Sequence, residues 1–183
     1  MKKLLLILLA IPAIVSFISC SENEKNTWEK YKAWRESNEA WLIEQSAKEE
    51  TPGKAYYTRI VPQWNTGVYI LMHQFNDPET TKNNLSPLST STVDVKYHGR
   101  TYDDVPFDSS YLSTNPADSI FRTKLSNVVE GWKIALQYMH VGDSVEVIIP
   151  YNVGYNATPI GTIKPYSNLV FGIKLVDIYS YEK

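Results

Sequence analysis

The chain has 183 residues, 43% hydrophobic and 21% charged, enough for one globular domain with an added segment. Its formal net charge of -2 excludes a dominant electrostatic partner such as nucleic acid, because phosphate binding needs a concentrated surplus of Lys and Arg. Thirteen Tyr and five Trp favour strands and also line apolar pockets with polar edges, so a β-rich binding domain is expected.

At the N-terminus, Lys2 and Lys3 precede an apolar run from Leu4 to Ile18. That run is too short and too terminal for an ordinary membrane span and suits a secretory signal. It ends in Phe17-Ile18-Ser19-Cys20, which resembles a bacterial lipoprotein signal, with Phe17 where Leu is commoner. The resemblance implies a signal peptide over 1–19 and lipid on Cys20 as the membrane link. Cys20 is the only cysteine, so with lipid attached the mature chain has no disulfide and no thiolate metal site. The following Ser21-Glu22-Asn23-Glu24 resembles the surface-export signals of some Bacteroidetes lipoproteins. The expected place is the cell envelope, as an outer-membrane lipoprotein on the periplasmic or the surface side.

A helix is predicted from Asn26 to about Lys48, where Trp28, Tyr31, Trp34, Trp41 and Leu42 fall on one arc. Thr51-Pro52-Gly53 should stop it. An aromatic stripe of this kind serves docking on a neighbouring domain, self-association into a homodimer, or contact with a membrane surface. Docking is favoured, and membrane contact lacks the Lys/Arg surplus of an interfacial helix. Residues 20–54 are therefore read as anchor, linker and amphipathic helix, and 55–183 as the folded domain.

Within that domain, Ala55 to Gln74 reads as one or two strands around a turn at Asn65-Thr66-Gly67. Asn76 to Ser91, rich in Asn, Pro, Ser and Thr, reads as a surface loop. Val93, Val95 and Tyr97 alternate with polar residues as a half-buried strand, and Val128 to Met139 reads as a short helix. Further alternation follows at Val145, Val147 and Ile149, and at Leu169, Phe171, Ile173 and Leu175. The fold class is thus α+β, an antiparallel sheet wrapped around one short helix and preceded by an N-terminal helix.

Three segments in order then match a known pattern. Val93 to Gly99 with Val105-Pro106-Phe107-Asp108-Ser109-Ser110 comes first. Leu125 to Trp132 with Met139-His140-Val141-Gly142-Asp143 is second, and Ile149-Pro150 to Tyr155 with Ile163-Lys164-Pro165 and Leu169-Val170-Phe171 is third. Together they span Val93 to Tyr179 and resemble the FKBP-type peptidyl-prolyl cis/trans isomerases. The resemblance implies a proline pocket made by Tyr97, Phe107, Asp108, Val129, Trp132, Tyr155 and Phe171, with Phe121, Val128 and Ile163 binding substrate and Trp132 as its floor. It implies proline-containing polypeptides as substrates, no cofactor and no metal. A binding module that grips proline without turning it over, and a lipoprotein that captures a small apolar ligand, are the competing readings.

The chain departs from the family pattern at several points. Asn156 stands where Gly is usual, Lys164-Pro165 replaces a Pro-Pro pair, and Thr162 replaces an Ile. No Arg between Tyr111 and Asp118 matches the one that some members pair with the pocket Asp. His73, His98 and His140 have no metal-ligand spacing, and Asp103-Asp104 reads as a turn.

Overall fold

A computed structural model of the protein describes residues 26–112 and 114–181; the signal segment and Cys20 lie outside the described residues. The aromatic N-terminal segment forms helix α1, Lys32–Ser46, preceded by helical residues 26–30 and a break at Tyr31. It ends short of the expected Lys48. Lys48 instead accepts the N–H of Tyr56, and Pro52-Gly53 turn a small hairpin of β1, Glu49–Thr51, and β2, Lys54–Ala55. Gly53, with φ of 80°, supplies the left-handed corner.

The main sheet has seven antiparallel strands: β3 Thr58–Ile60, β4 Ile70–Gln74, β5 Thr92–Thr101, β6 Pro106–Ser109, β7 Phe121–Lys124, β8 Ser144–Ile149 and β9 Leu169–Ser180. Their order is β3-β4-β8-β9-β5-β6, and β7 pairs with the first half of β5. The long strand β5 therefore meets β9 along one edge, and β7 then β6 along the other. Alternation in β5 buries Val93, Val95, Tyr97 and Gly99 on one face, as the sequence predicts.

Helix α2, Glu130–Gln137, lies against that face and buries Trp132, Ile134, Ala135 and Leu136. With Val145, Val147 and Ile149 of β8 and Leu169, Phe171, Ile173 and Leu175 of β9, they form the main core. Each buried Val, Leu, Ile or Phe among them contributes about 1.5 to 3 kcal/mol by removal from water.

The sheet is covered on its other face as well. Leu71, Ile148 and Val170 form a second cluster with Tyr57, onto which Trp41 and Leu42 of α1 pack. Trp34 and Trp41 also meet the ring of Tyr102, at 4.9 Å and 5.9 Å between centroids. The aromatic stripe is thus a docking face for its own domain. The polar residues Arg35 and Asn38 are buried along with it.

Residues 76–91 are more than a surface loop, for Thr81 and Ser91 are buried. Buried Asp143 accepts from Thr81 Oγ1 at 2.5 Å, Gln74 Nε2 at 2.9 Å, Asn76 Nδ2 at 3.2 Å and the His140 N–H at 2.7 Å. A buried carboxylate is tolerated only when so satisfied. Asn84 and Leu85 bond to Val141, which ties the same loop to the exit of α2.

Candidate active site

Where the N-terminal end of α2 meets β5, the elements enclose a cavity of about 190 Å³ lined by Tyr97, Asp108, Phe121, Asn127, Val128, Val129, Trp132, Tyr155 and Phe171. Tyr97 reaches it because β5 alternation turns it inward. Asp108 arrives on β6, whose backbone pairs with Gly99. Trp132 is only 4% exposed and lies in the first turn of α2, and Val128 and Val129 hold extended backbone just before the helix begins.

The walls are aromatic and fixed edge to face. The ring of Trp132 stands 5.0 Å from Tyr97 and 5.2 Å from Phe171, at interplanar angles of 87° and 89°. Phe121 meets Tyr97 at 5.4 Å and is 37% exposed at the mouth. Such arrangements match the positive ring edge to the negative ring face and hold the walls in one geometry.

The polar edge is narrow. The Tyr97 hydroxyl donates to Asp108 Oδ2 at 2.7 Å, and the Ser109 N–H donates to Asp108 Oδ1 at 2.8 Å. Burial, then the bond to Asp108, pushes the Tyr97 phenol well above the ordinary tyrosine range. Burial, followed by the Asp108 charge, also raises Tyr155. Both phenols are therefore protonated donors at neutral pH.

Eight of the residues singled out from sequence border this cavity, and two do not. Phe107 packs edge-on against Phe171 at 5.5 Å, over Gly99, where a side chain would leave no room. Ile163 is buried in the core at a tight turn with Ile160. Phe107 thus backs the Phe171 wall from outside the cavity, and Ile163 belongs to the main core. Asn127 also lines it, a residue whose only signal in the sequence is its place next to Val128. Asn156 adopts φ of 53°, the left-handed backbone that its side chain tolerates. Asp94, not Asp108, receives the nearby Arg122, through two bonds of 2.7 Å. Among the described residues, no group of three or more His, Cys, Asp and Glu is placed to hold a metal ion.

The family described as FKBP-type peptidyl-prolyl cis-trans isomerase matches residues 84–176. The FKBP-type peptidyl-prolyl cis-trans isomerase FkpA of Buchnera aphidicola is 30% identical over 142 residues, 74% of this chain and 53% of that protein. The Outer membrane protein MIP of Legionella longbeachae is 34% identical over 50% of this chain and 38% of its own length. The chain spans about half the length of the curated relatives it matches. Among solved structures, the crystal structure of a peptidyl-prolyl cis-trans isomerase from Pseudomonas syringae pv. tomato superposes with a TM-score of 0.63. It is 26% identical, covering 81% of this chain and 95% of that one.

Proposed function

The chain belongs to the FKBP-type peptidyl-prolyl cis-trans isomerase family, and on that footing we propose that it turns X-Pro bonds of exported polypeptides between cis and trans. The observation that carries this reading is the cavity itself, where buried Trp132 stands between Tyr97 and Phe171 beneath one polar edge.

An X-Pro bond rotates over a barrier of about 18 to 20 kcal/mol. Four to five decades of acceleration require about 5.5 to 7 kcal/mol. Part of the amide's resonance depends on water around its polarised carbonyl, so transfer into a dry aromatic pocket favours the twisted, less conjugated state. In this reading the proline ring rests on Trp132. The Val129 N–H holds a substrate carbonyl, Tyr155 donates through its hydroxyl, and Asp108 faces the twisting carbonyl. Catalysis is then differential binding of the twisted amide, with no proton transfer and no cofactor.

The Leu4–Ile18 segment and Cys20 support lipid anchoring in the cell envelope, on its periplasmic or its surface side. The relative named as an outer membrane protein fits that placement. With the aromatic face of α1 packed on its own sheet, a homodimer through this helix would use the opposite face, where Ile43 is 70% exposed. Sedimentation of the soluble chain beside Ile43→Glu tests that use.

The test of the main reading is the isomerisation rate of short X-Pro peptides with the soluble chain and with Trp132→Ala. Acceleration that the variant loses supports the isomerase. No acceleration from a folded chain replaces it with a proline-binding module.

A further inference from the structure

Helix α1 lies outside the family match at 84–176, yet its buried side is bonded to the loop that carries Tyr155. Asn38 is fully buried in the middle of an otherwise aromatic face. Its Oδ1 accepts the Asn168 N–H at 2.7 Å, and its own carbonyl accepts from Asn168 Nδ2 at 2.7 Å. Asn38 Nδ2 is in turn satisfied by the Trp34 carbonyl at 2.8 Å. The tie continues inward, because Asn168 Oδ1 accepts the Tyr151 N–H at 3.0 Å, so one asparagine on α1 pins both ends of the loop.

Aromatic contacts reinforce it. Trp34 Nε1 donates to Ser167 Oγ at 3.1 Å, and Lys164 Nζ stands 3.9 Å from the centre of the Trp34 ring. The lysine that departs from the family's proline pair thus has a partner on α1. Trp28 packs edge-on against Tyr166 at 5.1 Å. Tyr166 holds φ of 61°, and its N–H donates to the Asn156 carbonyl at 2.7 Å. A bulky residue in left-handed backbone is strained, and it persists only where its surroundings over-determine it. Here the surroundings include Trp28, in the helical residues just before α1, and the acceptor is the neighbour of Tyr155.

We propose that α1 is a positioning element for the pocket, with Asn38 and Trp34 fixing the Tyr151–Asn168 loop and, through it, the place of Tyr155. The proposal rests on the reading of the cavity as a proline site. A fully satisfied buried polar pair has one geometry, unlike an apolar contact that slides. Loss of the tie lets Tyr166 relax and the Tyr155 hydroxyl drift from the rim. Misplacement by about 1 Å costs up to about a hundredfold in rate.

The experiment uses the full soluble chain with Asn38→Ala and, as a milder variant that keeps an aromatic side chain but removes the Nε1 donor to Ser167, Trp34→Phe. Amide hydrogen exchange, kcat and KM for an X-Pro peptide, and the Kd of a non-turning proline peptide are read together. The expected result is faster exchange at Asn156, Tyr166 and Asn168 with unchanged exchange in β8 and β9. It is accompanied by roughly a tenfold loss of kcat/KM for Asn38→Ala and a smaller one for Trp34→Phe. Exchange that rises uniformly across the sheet, loop exchange that does not change, or a loosened loop with unaltered kcat/KM and Kd would each overturn the proposal. If the unsubstituted chain shows no turnover, the isomerase reading fails, and loop exchange with peptide Kd still decides the role of α1.

Discussion

The Tyr97 hydroxyl and the Asp108 carboxylate, on neighbouring strands, are joined by a 2.7 Å hydrogen bond at the edge of the aromatic cavity. Asp108 pairs in register with Gly99, two residues beyond Tyr97 on β5, so the sheet itself sets the distance. The second carboxylate oxygen is held by the Ser109 N–H. The polar rim is therefore a fixed arrangement, and its members can be removed one at a time.

Tyr97→Phe keeps the ring contacts with Trp132 and Phe171 and removes only the donor to Asp108. It should cost about 1 kcal/mol of stability, since a hydrogen bond with one exposed partner is worth little more. The isomerisation rate should fall severalfold. Urea denaturation and a peptide assay on the same preparation measure both; a fall in stability with no change in rate would remove the rim from the mechanism.

Gly99→Ala tests the wall. A Cβ there would lie 2.7 Å from both Phe107 Cε2 and Phe171 Cε1, closer than such atoms approach. The rings must shift, at a cost of about 1 to 3 kcal/mol, and Phe171 moves with them into the cavity. A lower melting temperature together with weaker binding of a proline peptide is expected, and normal affinity would show that Phe171 is not a functional wall.

The raised phenol pKa values set a pH dependence. A folded-state pKa above the unfolded value of about 10 means that the contribution to stability is complete below pH 10. It is lost as pH rises from there through the folded value. Stability should be insensitive to Tyr97 and Tyr155 between pH 6 and 9 and should fall above about pH 10. In Tyr97→Phe the alkaline fall should be shallower; an equally steep fall would assign it to other groups.

Asp143→Ala isolates the opposite end of α2. The substitution strands the donors of Thr81, Gln74, Asn76 and the His140 backbone, and should destabilise the chain by about 3 kcal/mol. Limited proteolysis should then cut within 76–91, because that loop loses its attachment. Cleavage unchanged from the parent would mean that the contacts to Val141 suffice.

Period-two alternation in β5, β8 and β9 and the helical arc of α2 were legible because each element buries one face against the same core. Ile148 and Val170 fall on the other side of that alternation. Their burial depends on α1, whose aromatic residues sequence could place on one arc but not against a particular surface. Asn38 shows the limit more sharply. A polar residue amid tryptophans reads as an interruption until Asn168, 130 residues away, supplies its partners. In the cavity, residues that alternate into the core were traceable from the family pattern. Phe107 and Ile163 stand outside it because Gly99 and a tight turn let them pack one contact further from the opening.

The docking of α1 also fixes how far the pocket can travel. A freely jointed leader would let a lipid-held domain sweep a wide volume above the bilayer. Helical structure is described from Asn26 onward, and the six residue steps from Cys20 to that point can span no more than on the order of 20 Å. With lipid on Cys20, as proposed, the domain would work as a short-leashed device held close to the bilayer. Proline bonds of chains emerging at the membrane would be met at high local concentration, and those in the bulk compartment would not.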